Sequence, residues 1–217
     1  MNLNHPYLRD QIIAYIGNKR RLLPLISSAL EEVEPSLKST HNPPVFFDPF
    51  AGSGVVSRLA KMRGYNVFAN DWEEFSYVLL RAYVSTEPQD IEHLFGSYRS
   101  FEKYIDFLNH LENPQPEKEY IAKHYAPSVF DPEKADFRYE RLFYTRENAL
   151  IIDRIRNEIE HSFPPGSGVP ETEAKRMLLI GMLLYKAATH TNTSGVFKAF
   201  HKGFGGYGGD ALKRILS

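Results

Sequence analysis

The sequence predicts an α/β fold whose parallel sheet is only partly built and whose remainder is largely helical. Three observations carry this. A short apolar run, VFF at Val45 to Phe47, leads through an Asp-Pro into a glycine-spaced turn and a renewed apolar run from Val55 to Met62. After Gly64 comes a second short apolar run, NVFAN, Asn66 to Asn70. Beyond Phe68 no segment supplies a convincing further strand, whereas a doubly wound sheet typically has five or more.

In chain order, residues 11–33 start with a short apolar segment broken by Gly17. A helical pattern then runs through Leu22, Leu23, Leu25, Ile26 and Leu30, with Pro24 early, where proline is tolerated. The polar, proline-containing stretch Glu34 to Pro44 is expected to be a linker. Strand, glycine turn, helix and strand from Val45 to Asn70 open a βαβ unit. Residues 74–112 are expected to be mostly helix, and the prolines and aromatics of 113–137 a loop-rich stretch. Thr145 is a helix N-cap, followed by apolar residues at Ala149, Ile152, Ile155 and Ile159 on one face. Pro164 to Pro170 is a turn, and a second helix runs from about Glu171 to His190. These two helices are expected to bury their apolar faces against each other. The expected organisation is 1–85 for the strand–turn–strand part, 86–190 for a helical region and 191–217 for a Gly-, Ser- and Thr-rich terminal segment.

At 217 residues the chain suits one large domain, or one domain with an insertion. It has no cysteine, so neither a disulfide framework nor a thiolate metal site is available. No apolar stretch approaches the ~18 residues of a membrane-spanning helix, and the first residues lack a signal peptide's apolar core. A soluble cytoplasmic protein, with no membrane partner and no metal site, is expected. The net charge of -1 argues nothing for nucleic acid as a whole-chain property. Locally, Lys186, Lys198, Lys202, Lys213 and Arg214 stand against Asp210 alone from 186 onward, and Asn18 to Arg21 reads NKRR. Such patches can contact phosphates on a neutral protein, or be solvated helix faces.

The turn DPFAGSGVV narrows the chemistry. Gly52 and Gly54 let the backbone turn sharply and approach a ligand closely, with the following helix presenting its N-terminal N–H groups. A carboxylate for ribose hydroxyls is expected ~20 residues on, at the end of the second strand, and Asp71 stands there. An adenosine-type ligand is implied. A phosphate-binding GxxxxGK[ST] loop is excluded because no lysine follows, and a dinucleotide GxGxxG is broken by Ser57. A purely structural turn would account for the glycines, but less readily for Asp48 and Asp71 together.

FFDPFAGSG followed by NVFAND resembles motifs I and II of S-adenosylmethionine-dependent DNA methyltransferases, and YIGNKRRLL, Tyr15 to Leu23, resembles motif X of the Dam-related (D12) adenine-N6 class. YAP at Tyr125 to Pro127, LFYTRENALIIDRIRNEIE and TNTSGVFKAFHKGFGG resemble that family's helical segment and the start of its DNA-recognition hairpin, so the likeness covers Tyr15 to Gly209. The resemblance implies a Rossmann-like methyltransferase sheet, S-adenosylmethionine as cofactor, double-stranded DNA as partner and a restriction–modification setting. It places Tyr15 beside the cofactor and Lys19 near its methionine carboxylate. Asp48, Phe50, Gly52 and Gly54 become the motif I loop, Asp71 the ribose-binding acid and Trp72 a surface on which adenine stacks. Phe197, Lys198, His201 and Lys202 fall in the DNA-facing hairpin, where aromatics between basic residues suit phosphate contact and stacking.

The family's catalytic motif, [DNS]PP[YFW], is not found in this sequence. Asn42-Pro43-Pro44 is followed by Val45, not an aromatic, and it lies before motif I. Those prolines read as the end of a linker. No catalytic residue is therefore assigned. The missing motif and the missing strands agree, and the chain reads as the N-terminal half or a subunit of an adenine-N6 methyltransferase. A second chain or a C-terminal remainder would carry DPPY. A split enzyme, a truncated gene or fragment, and a degenerate copy retained as a non-catalytic DNA- or nucleotide-binding module all stay open.

Overall fold

A computed structural model describes residues 2–14, 17–40, 43–193, 199–206 and 212–216. The chain divides into two compact units, Met1–Glu87 and Pro88–Ser217.

The first unit is built around a βαβ crossover. Strand β1 (Val45–Asp48) and strand β2 (Asn66–Ala69) pair in parallel, with Phe46 opposite Val67 and Phe47 opposite Phe68. Between them runs a helix, Val55–Met62. Two helices precede the sheet, α1 (Pro6–Arg9) and α2 (Leu23–Thr40), so the crossover helix is α3. A 3-10 turn at Lys19–Leu22, capped by the Asn18 side chain, leads into α2. Helix α4 (Glu74–Leu80) follows β2 and widens into a π-turn at Arg81–Ser85.

Strand alternation decides which face is buried. Phe46 and Val67 lie against a core of Leu8, Leu23, Leu30, Val55, Val56, Leu59, Ala60 and Tyr65. Val45, Phe47 and Phe68 point the other way and are more than half exposed. Among the described residues the sheet has these two strands alone, leaving the far edge of β1 without a strand partner. The expected βαβ opening is present. No third strand is found among the described residues.

The linker expected from Glu34 onward is instead helix, since α2 continues through Pro35 to Thr40. Proline removes one N–H from the helix ladder and is costly inside it. Tertiary contacts outweigh that cost here. Leu37 packs on the core, and Arg63 bridges back to Glu31 and Glu34. At the helix end the Ser39 hydroxyl donates to the Ser36 carbonyl at 2.7 Å and Thr40 to Leu37 at 3.0 Å.

The second unit is helical: α5 (Pro88–Phe95), α6 (Tyr98–Asn109), α7 (Ile121–Tyr125), α8 (Arg146–Ser162), α9 (Pro170–Thr189) and α10 (Leu212–Leu216). Thr145 caps α8 as expected, accepting from the Asn148 N–H at 3.2 Å. Ile155 and Ile159 of α8 meet Leu179 of α9 and Leu108 of α6, with Ile151, Ile180 and Leu183 packed around them. The expected burial of α8 against α9 is therefore observed. Helix α7 was not anticipated in the loop-rich stretch. It is held by Asp153, 2 % exposed, whose two carboxylate oxygens accept the Ile121 and Ala122 N–H groups at 2.8 Å each. No helix among the described residues is long and apolar enough to cross a membrane.

Candidate functional site

In the first unit, the carboxyl ends of β1 and β2 converge on the glycine turn, the position where open α/β sheets bind ligands. Two hydrogen bonds extend the ladder past the strands: Asn70 N–H to the Asp48 carbonyl (2.8 Å) and Ala51 N–H to the Asn70 carbonyl (2.9 Å). The turn then reverses through Gly52 (φ 55°) and Gly54 (φ 74°), both in the left-handed region where a Cβ is penalised. At Gly54 space adds to conformation. A Cβ there would stand 2.9 Å from Leu80 Cδ2 and 3.3 Å from Val84 Cγ2, so the π-turn after α4 closes down on this glycine. Gly54 is also the N-cap of α3, and no side chain occupies the cap. The first-turn N–H groups of α3 thus have no intrahelical partner.

Polar side chains brace this turn from two other parts of the sequence, residues 18–19 and Asp71. The Asp71 carboxylate accepts the Gly52 N–H through Oδ2 (2.8 Å) and the Glu73 N–H through Oδ1 (3.1 Å). Lys19 donates from Nζ to the Phe50 carbonyl at 3.0 Å. Asn18 donates from Nδ2 to Ser53 Oγ at 3.2 Å. Beneath the turn, Asp48 is buried and its Oδ2 accepts the Ser57 hydroxyl at 2.8 Å. Phe50 and Trp72 flank the turn with rings 76 % and 95 % exposed. Six of the eight sequence-designated residues, Lys19, Asp48, Phe50, Gly52, Gly54 and Asp71, are thereby joined in one bonded or sequential cluster, and Trp72 adjoins it. Tyr15 lies outside the described residues.

Asn18, Ser53 and Ser57 were missed. Their signal is weak in sequence, since the contacts that tie them to the turn join residues 9 and 35 positions apart.

The DNA-facing candidates sit in the second unit. Thr193 and Phe200 form an antiparallel bridge. Asn192, 1 % exposed, clamps the described residues on both sides of it. Its Nδ2 donates to the carbonyls of Leu142 (2.9 Å) and His201 (3.1 Å), and its Oδ1 accepts the Gly205 N–H (3.2 Å). The His201 ring lies against Gly206, where a Cβ would come within 3.3 Å of Nε2. Lys202 is exposed, with Nζ 5.4 Å from the centroid of the Phe137 ring. Phe197 and Lys198 lie outside the described residues. Asn192 was not anticipated as the organising residue.

Comparison with known proteins agrees with these motifs. Residues 15–208 match the model of the D12 class of N6 adenine-specific DNA methyltransferases. The chain is 31% identical over 192 residues to the modification methylase LlaI of Lactococcus lactis subsp. lactis, covering 87% of this chain and 27% of that one. It is 31% identical over 188 residues to the type II methyltransferase M.NlaIII of Neisseria lactamica, covering 87% and 49% respectively. It is 28% identical over 204 residues to the type II methyltransferase M.CviAII of Paramecium bursaria Chlorella virus 1, covering 94% and 53%. The chain thus spans about half or less of the length of these curated relatives. No solved structure matches it significantly.

Proposed function

Because the chain belongs to the D12 class of N6 adenine-specific DNA methyltransferases, we propose that it is the cofactor-binding and DNA-recognising portion of a site-specific adenine methyltransferase. The observation that carries this is the bonding of three separate motifs into one turn: Lys19 to the Phe50 carbonyl and Asp71 to the Gly52 N–H.

The groups around that turn suit S-adenosylmethionine. Asp71 uses one lone pair per carboxylate oxygen on the backbone, and each oxygen retains a second for a ribose hydroxyl. Lys19 uses one N–H on Phe50 and keeps the others for the methionine carboxylate. The exposed faces of Trp72 and Phe50 offer stacking surface for adenine. Bound there, the cofactor supplies an electrophilic methyl group for transfer to an adenine amino nitrogen.

Acceptors for the hydrogens of that amino group belong to the [DNS]PP[YFW] motif, which this sequence does not contain. Methyl transfer is therefore assigned to an assembly with a polypeptide that carries it, in the same chain or a second one. The exposed Val45, Phe47 and Phe68 face supports this, because a parallel sheet is normally covered on both faces. A Rossmann-like sheet would be completed by strands from that polypeptide. The names of the relatives point to a restriction–modification role for the assembly.

Calorimetric titration of the chain with S-adenosylmethionine tests the proposal. Saturable binding that Asp71→Ala abolishes and Lys19→Met weakens is expected. Saturable binding unaffected by either substitution would move the cofactor off this turn and overturn the assignment.

A further inference from the structure

The residues so far given roles leave unused an open cleft of about 660 Å³ in the second unit. It lies between the 3-10 turn at Pro116–Lys118, helix α7 and the strip from Ser128 to Arg146. The buried Ala122 and Ala126 are among its lining residues. Its charged groups are Lys123, Arg141 and Arg146 against Glu119 and Glu140, with His124 beside them.

Both acids are already engaged. Glu119 pairs with Arg146 at 2.5 Å. Glu140 accepts the Ser128 hydroxyl at 2.6 Å and the Ser128 N–H at 2.7 Å, and those bonds hold its carboxyl below the usual range. Lys123 and Arg141 have no acidic partner among the described residues. Arg141 rests over the Tyr125 ring, 5.7 Å from its centroid, with Nη1 3.5 Å from the His124 carbonyl. The cleft therefore offers two cations that have no acidic partner among the described residues. They suit an anionic group that accepts hydrogen bonds, as a phosphate does.

The rim connects this cleft to the 191–206 segment. Tyr139, 83 % exposed, stands at the rim beneath the Arg138 guanidinium, 5.6 Å from the ring centroid. Two residues earlier, Phe137 carries Lys202. Phe143 packs edge-on against Phe200 with centroids 5.1 Å apart.

We propose that the cleft is a second DNA contact, taking the sugar–phosphate backbone of duplex DNA, with Lys123 and Arg141 on phosphate oxygens and Tyr139 against the sugar. It rests on the reading of the 191–206 segment as DNA-facing, and it adds a sequence-neutral anchor beside that segment. A phosphate contact positions a duplex without reading it. Removing this anchor weakens binding to all sequences alike.

The test is fluorescence anisotropy of the whole chain with several unrelated duplexes across a potassium chloride series. Each phosphate left unneutralised lowers the slope of log K against log salt by about 0.9. Lys123→Gln/Arg141→Gln is expected to free about two phosphates and so reduce the slope by about 1.8, equally for every duplex. Lys123→Glu, at an exposed position, covers the case in which Arg141→Gln loosens Tyr125, and is expected to weaken binding by itself. Lys202→Gln reports on the neighbouring segment. Wild-type slope and affinity in both Lys123 variants, with a reduced slope in Lys202→Gln, overturns the cleft assignment and leaves the segment's DNA role standing. Absence of salt-dependent binding by the wild-type chain overturns both.

Discussion

The glycine turn of the first unit and the surroundings of Asn192 in the second solve one problem in different ways. Both fix backbone groups with a side chain that bonds them. In the first, Asp71 bonds Gly52, and the strands that bring them together lie within residues 45–69. In the second, Asn192 reaches Leu142, 50 positions away, as well as His201 and Gly205. The first is a local device with a compact sequence signature. The second is a tertiary clamp, visible only once α8 and α9 have packed and brought residues 142–144 to residues 191–192.

The largest effect should come from closing the space at Gly54. Gly54→Ala imposes a left-handed conformation costing about 1–2 kcal/mol. It also adds a methyl group against Leu80 and Val84, overpacking that costs about 1–3 kcal/mol more. Urea unfolding should show a loss of about 2–5 kcal/mol, accompanied by weakened S-adenosylmethionine binding. A loss below about 1 kcal/mol would mean that α4 and the π-turn yield easily, and that the turn is less rigid than its bonds suggest.

Asn192→Ala comes next. It leaves the Leu142 and His201 carbonyls and the Gly205 N–H without that partner, and an unsatisfied buried group costs about 1–3 kcal/mol. A stability loss of about 2–3 kcal/mol is expected, with cofactor binding by the first unit unchanged. Equal loss of cofactor affinity would break the comparison, because the two devices would then be one.

The same contrast governs what could be read from the sequence. Strand β1, helix α3, strand β2, the Thr145 cap and helices α8 and α9 were legible because apolar periodicity, glycine and capping residues act over a few positions. Asp48, Gly52 and Asp71 were legible as motif spacing, and Lys19 only through the resemblance to motif X. Helix α7 was not, since its N-terminal N–H groups are satisfied by Asp153, more than 30 residues downstream. Nor was the extension of α2 through Pro35, where local propensity says stop and Leu37 packing says continue. Replacing that proline tests which term dominates. Pro35→Ala restores a backbone donor and a good helix former, and should stabilise the chain by about 1–2 kcal/mol after allowing for the freer unfolded state. A destabilised Pro35→Ala would show that the ring itself is part of the packing.

The smallest effect is expected at the surface of the second unit, where charge is neither buried nor clamped. The Arg138 guanidinium hydrogen-bonds the Asp136 carboxylate, with Nη2 2.5 Å from Oδ2, and the Arg138 N–H adds a further bond to Oδ1. Together they hold the Asp136 carboxyl at about 2, below its ordinary 3.8. A carboxyl depressed in the folded state stabilises the fold above its unfolded value, and that contribution is lost as pH falls from 3.8 through about 2. Because the pair lies in solvent, its worth at neutral pH is slight and screened by salt. Arg138→Ala should therefore move the Asp136 titration, followed by carboxyl carbon NMR, up toward 3.8 while leaving the melting temperature at pH 7 where it was. A lower melting temperature at pH 7 would mean that the strip around Tyr139 depends on this pair for its shape. The cleft beside it would then be set by a surface ion pair as well as by the buried contacts of Ala122, Ala126 and Asp153.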